Sequence, residues 1–192
     1  MLASIHPLGE RVRHNRWSVT VTAYLLGSAA GGAAVGAVAG GIGQAMRVDS
    51  LMPRWSAAVV LAGAFVVELA SRGRQLPGPR RQVNEDWLNR YRGWVYGAGF
   101  GFQLGAGVTT IITTAGVYAF VALAFLAASP SAGAVIGLTF GIVRALPVLA
   151  LARARQPGDL HRVHRRLSRL AAPARHLGAA ALVALTGLAA IR

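Results

Sequence analysis

Residues 93–143 read GWVYGAGFGFQLGAGVTTIITTAGVYAFVALAFLAASPSAGAVIGLTFGIV. The stretch contains no Asp, Glu, Lys or Arg, and only Ser129-Pro130-Ser131 interrupts it. Apolar runs of about 10–14 residues suit the core helix of a soluble protein, whereas one helical pass through a bilayer takes about 20. The length and composition together predict two passes through lipid joined by a tight turn at the proline.

The rest of the chain agrees with lipid as the solvent. Of the 192 residues 54% are hydrophobic and 14% charged, against a charged share of about a quarter in soluble domains. The net charge of +14 raises the question of nucleic acid. All 20 basic residues are Arg, however, and most lie in short segments between apolar runs. That placement orients helices in a membrane and does not build a base-reading face, so no nucleic-acid binding is expected. The absence of cysteine excludes disulfides, thiolate zinc sites, iron–sulfur clusters and thiol relays.

The hydrophobic pattern predicts an all-α integral membrane bundle of about five transmembrane helices in a single domain, 1–192. They cover approximately 18–45, 55–70, 94–128, 132–152 and 176–191. The first is too long for the apolar part of a signal peptide and is expected to be retained. Asn84 can cap a short interfacial helix on which Trp87, Leu88, Tyr91 and Trp94 share a face. The third helix exceeds one bilayer thickness. It must tilt, project or break, and a break is easiest in the glycine-rich part between Gly97 and Gly107. A basic interfacial segment, 159–175, sets Leu160, Val163, Leu167 and Leu170 opposite Arg162, Arg165, Arg166 and Arg169, as expected for contact with anionic lipid. With the N-terminus cytoplasmic, sixteen of the 20 Arg fall on inner segments and three on outer ones. The excess predicts a multi-pass protein of the bacterial plasma (inner) membrane.

Internal similarity points to a duplicated hairpin, 17–78 and 94–158. Arg72-Gly73-Arg74-Gln75 has a counterpart in Arg153-Ala154-Arg155-Gln156, and 56–65 resembles 131–140. Glycines at four-residue steps, Gly97, Gly101 and Gly105, then Gly133, Gly137 and Gly141, form stripes on which another helix backbone can pack.

Charges at bilayer depth mark candidate functional residues. Aligning the repeats places Glu68 and Arg144 at nearly equal depths toward the inner side, where they could pair across the hairpin interface; alternatively both snorkel to headgroups. Gln103, Thr109 and Thr113 could line a polar path where the third helix breaks, although Thr hydroxyls can also bond back to their own helix. His161, His164 and His176 lack a carboxylate or thiolate set, so no metal site is expected. There is no phosphate loop, HExxH or nucleophile elbow, and so no catalytic residues and no cofactor are expected.

The run 96–128 followed by 133–149, a glycine-rich broken helix, a small-residue turn and a helix closing on Pro147, resembles part of the DsbD/CcdA-type membrane family of cytochrome c biogenesis. The resemblance implies a polytopic scaffold. The family's membrane-embedded cysteines are missing here, so it does not imply thiol–disulfide activity. The opening Pro7-Leu8-Gly9-Glu10-Arg11 and the use of Arg throughout also resemble actinobacterial multi-pass membrane proteins. The functional expectation is a non-enzymatic membrane protein. It is expected to be transporter-like, with a small-solute or ion pathway at the hairpin interface; the alternative is a non-catalytic subunit or assembly factor with a membrane-protein partner or a second copy of itself.

Overall fold

The computed structural model describes residues 5–53, 55–71, 76–78, 90–107, 112, 114–152 and a few positions between 158 and 170. The expected interfacial helix beginning at Asn84, most of the basic segment 159–175 and the last helix 176–191 lie outside the described residues. Those described are helical, with no strand among them.

A short α1, Pro7–Val12, precedes α2, Trp17–Ala45. A single turn, α3, Val48–Leu51, leads to α4, Ser56–Ser71. The remaining elements are α5, Gly93–Ala106, α6, Gly116–Leu126, and α7, Pro130–Ala145, which tightens into a 3-10 turn over Leu146–Leu151. Two helical runs, Trp17–Ala45 and Pro130–Leu151, are long and apolar enough to cross a membrane.

α2 is the central strut, and glycine is the reason. Its Gly36 faces Gly133 of α7 so closely that a Cβ on either would overlap the other's carbonyl oxygen. On a neighbouring face, Gly101 of α5 lies against the Tyr24 carbonyl in the same way. All six stripe glycines of α5 and α7 meet a backbone carbonyl of α2: Gly97 at Thr20, Gly101 at Tyr24, Gly105 and Gly141 at Ser28, Gly137 at Gly32 and Gly133 at Gly36. Missing side chains let the backbones come within reach of Cα–H···O contacts and dense dispersion, which drive helix association where no hydrophobic effect operates. Ser28 adds a hydrogen bond of 2.7 Å to the Gly141 carbonyl.

The order of these contacts fixes direction. Residue numbers rise together along α2 and α5 and oppose one another along α2 and α7. α6 continues in the direction of α5, since Gly40 and Gly43 of α2 face the carbonyls of Ala124 and Phe125 among their neighbours. The long third run is therefore one path along α2, interrupted after Gly107, whose φ of 70° ends α5. The glycine-rich part itself stays helical through Gly97, Gly101 and Gly105, which pack on α2, so the break falls at its C-terminal edge and not within it.

α4 packs on α6 and not along α2, so the two long helices of the first expected hairpin do not lie side by side. α4 runs antiparallel to α6, with Ala64 against Ala115 and Ala119. It stops at the level of the break, where the Leu76 N–H donates to the Ile112 carbonyl at 3.0 Å.

Candidate functional site

The first N–H groups of a helix have no intrahelical partner, and at α6 a side chain from α4 takes up one of them. At the start of α6 the Ala115 N–H donates to the Glu68 carboxylate at 2.7 Å. An acid at a helix N-terminus is favoured both by this bond and by the helix dipole. Glu68 thus binds α4 to α6, and the Tyr118 hydroxyl donates to the Pro77 carbonyl beside it. Between α4 and α6 an apolar groove of about 440 Å³ is lined by Val60, Gly63, Val67, Leu76, Tyr118 and Ala122 among others.

On the other side of the break the Phe140 ring of α7 stacks on Phe120 of α6, with centroids 4.2 Å apart. Both rings lie over Gly107, where a Cβ would be 3.2 Å from Phe140 and 3.3 Å from Phe120. The guanidinium of Arg144 sits over the outer face of this stack, its Cζ 5.5 Å from the Phe140 centroid. Its Nη1 is buried and has no hydrogen-bond partner.

The expected Glu68–Arg144 pair is therefore not formed. Glu68 bonds to the first turn of α6, whereas Arg144 lies near the level of Tyr24, where α2 and α7 pack between the Ser28 and Val21 levels. The two are also not at equal depth. The alignment missed this because α4 accompanies only the far half of the broken run, whereas α7 accompanies the whole of α2. Gln103 is half-buried in the last turn of α5, beside the break. Thr109 and Thr113 lie outside the described residues. No group of His, Cys, Asp and Glu able to hold a metal occurs among the described residues.

A second polar cluster was not anticipated. α1 folds back against the start of α2 and α5, and its Glu10 is fully buried. The Tyr96 hydroxyl donates to both carboxylate oxygens, at 2.5 Å to Oε2; Thr20 Oγ1 donates at 2.8 Å and Arg13 Nη2 at 2.9 Å. The Asn15 amide donates to the Tyr96 oxygen at 3.3 Å. Burial pushes the Arg13 pKa down, but the hydrogen bond to Glu10 and the nearby Tyr96 outweigh it and hold the guanidinium above its ordinary pKa. His6 caps α1 by accepting the Gly9 N–H on Nδ1 at 3.0 Å, and burial together with the Arg13 charge lowers its pKa. Ile5 enters the core with Val21, Tyr24, Tyr96, Phe100 and Val148. Glu10 was the one acid among Arg11, Arg13 and Arg16, a charge pattern that reads as a solvated basic segment unless a buried tyrosine is known to face it.

With this geometry in place, one relative gives context. The chain is similar to the methylamine utilization protein MauF of Methylophilus methylotrophus, with 31% identity over 137 residues. The match takes in 69% of this chain and 47% of that protein, so the chain spans about half the length of the curated relative it matches. No protein-family model and no solved structure matches.

Proposed function

We propose that this chain is a multi-pass membrane protein of about five spans acting as a non-catalytic subunit or assembly factor for a membrane-associated complex. The observation that carries this reading is the fate of the two intramembrane charges. A pathway between hairpins would bring polar residues together on facing helices. Here the α2–α5 and α2–α7 contacts are closed by backbone against backbone, Glu68 is engaged in holding α6, and Arg144 is turned away from it. The similarity to a methylamine utilization protein supports a setting in the use of small amines, with a partner drawn from that machinery. Arg-rich segments on the cytoplasmic side would hold the protein to anionic lipid.

A transporter-like role is the second reading. It is favoured by the interrupted run α5–α6, since discontinuous helices form midplane binding sites in transporters, with Glu68 holding the half-helix N-terminus that an anionic solute would otherwise take. The deciding experiment is to purify the tagged protein from its native membrane in mild detergent and determine the mass and composition of the particle. A stoichiometric second protein supports the subunit reading. A monomer or homo-oligomer that moves solute in vesicles, and stops doing so with Glu68→Ala, would replace it with the transport reading.

A further inference from the structure

Arg144 lies within the membrane-crossing run Pro130–Leu151, seven residues from its end and level with Tyr24, itself seven residues inside α2. At 1.5 Å per residue that is a depth of about 10 Å. A cation there is tolerated when it snorkels to headgroups or meets an acid. Its direction excludes the first. Side chains on a helix lean toward its N-terminus, and Arg144 belongs to the C-terminal half of α7, so it leans toward mid-membrane. The guanidinium is found over Phe140, one turn further in; Nη1 is enclosed by this chain without a hydrogen bond, and the exposed part of the half-buried side chain is what a neighbour can reach.

The chain has six acids from which a partner could come. Glu10 is enclosed by Tyr96, Thr20 and Arg13, Glu68 accepts from Ala115, and Asp159 pairs with Arg162. Asp49 is exposed in α3, beyond the opposite end of α2. Glu85 and Asp86 belong to the segment expected at the interface, and 160–192 contains no acid at all. In a second copy of the chain aligned the same way, the exposed Asp49 would again lie at the opposite end of α2 from Arg144.

We infer that Arg144, half-buried on α7 with the exposed Val143 beside it, is the docking point for a carboxylate side chain on a membrane-spanning helix of a different protein. This rests on the subunit reading and adds the chemistry of its contact. The aromatic face of Phe140 holds the guanidinium in place before the partner arrives, so little ordering entropy is lost on docking.

The test compares wild type, Arg144→Leu and Arg144→Lys purified from native membranes in mild detergent. Arg144→Leu is expected to lower co-purifying partner by about 5- to 30-fold, as for loss of an interhelical polar contact of ~1–2 kcal/mol, with Arg144→Lys intermediate. Its own thermal unfolding midpoint should not fall. Because the chain has no native cysteine, Val143→Cys gives a single crosslinking site. It should join an acidic residue-bearing helix of the partner, and Ile142→Cys, on another side of α7, should not. Arg144→Glu combined with reversal of that acid should restore the complex. Wild type that purifies without any partner overturns both the subunit reading and the docking. A partner retained in full by Arg144→Leu overturns the docking alone. So does a Glu85→Gln/Asp86→Asn variant that lowers the unfolding midpoint as Arg144→Leu does and non-additively with it, since that places the acid within the chain.

Discussion

Replacing Gly36 by Ala should destabilise the protein, while the same replacement at Gly63 should not, and the contrast measures how the bundle is held. At Gly36 a Cβ would overlap the carbonyl of Gly133, with the Gly137 Cα 3.2 Å away. None of these atoms is the end of a flexible side chain, so α2 and α7 must move apart along their whole contact. Overpacking of this kind costs about 1–3 kcal/mol. Separation also weakens Cα–H···O contacts worth about 0.5–1 kcal/mol each. Against this, Ala is favoured over Gly in a helix by up to about 1 kcal/mol. The balance for Gly36→Ala is a loss of about 1–3 kcal/mol. At Gly63, exposed on α4, nothing lies within 4 Å of the added Cβ, leaving only the propensity gain of up to about 1 kcal/mol. The two variants should therefore differ by about 1–4 kcal/mol, separating their midpoints in dodecyl sulfate titration followed by circular dichroism. If Gly36→Ala unfolds at or above the midpoint of Gly63→Ala, backbone contact is not what joins α2 to α7.

Other outcomes follow from the polar clusters and the turns. Tyr96→Phe removes a donor from the buried Glu10 carboxylate and should cost about 1–3 kcal/mol, read from the unfolding midpoint; an unchanged midpoint would mean that α1 is not docked as described. The His6 pKa is lowered in the folded state, so the folded protein binds fewer protons there than the unfolded one. Its contribution is present above the unfolded value of about 6.5 and is lost as pH falls through the lowered folded value, which should make α1 more open to proteolysis in mild acid. His6→Asn keeps a capping oxygen and should remove that pH dependence in the proteolysis rate. Glu68→Ala, which leaves the Ala115 N–H unpaired, should lower stability by about 1–2 kcal/mol, and Glu68→Gln by less, in the same titration. Ala128 has φ 44° between α6 and α7, so Ala128→Gly relieves a left-handed conformation and should raise the midpoint by up to about 1 kcal/mol.

The helical class and the glycine stripes were legible because both are repeating signals. A stripe at four-residue spacing implies a close-packed face wherever the partner lies, and each of its six glycines does meet backbone. Pairing was not legible in the same way. Small-residue faces on 97–105 and 133–141 look alike, and nothing in composition says that both belong on α2 instead of each on its neighbour in sequence. That the third run breaks was legible from its length, but not its place, because the glycines of 97–105 are held helical by packing on α2; and the use of Glu68 to cap the next helix depends on α4 lying beside α6, a tertiary fact. Glu10 was invisible for a related reason. Its partners Thr20 and Tyr96 are 10 and 86 residues away, and sequence spacing reveals a hydrogen bond only within a few turns of one helix.

Glu68 and Arg144, the charges carried by the apolar helices α4 and α7, are handled differently. Glu68 is neutralised locally by a helix N-terminus, an arrangement complete within one chain and suited to holding a broken helix in shape. Arg144 is held by a ring face, which attracts a cation far less than a carboxylate does and leaves Nη1 unbonded. A protein that needed both only for its own stability would gain more by joining them, since an acid and a base at bilayer depth each pay for desolvation separately. Keeping them apart is consistent with one serving the fold and the other being reserved for contact. The same division runs through the apolar surface: glycine consumes the inner faces of α2, α5 and α7 in self-packing, while exposed Val, Leu and Ile side chains on α7 face outward. In lipid those side chains alone give no preference for a neighbour, because hydrocarbon solvates them equally well. Under the subunit reading, selectivity for a partner comes from the polar groups of α7: the exposed Thr139 hydroxyl is already bonded to the Val135 carbonyl, which leaves Arg144 as the charged one.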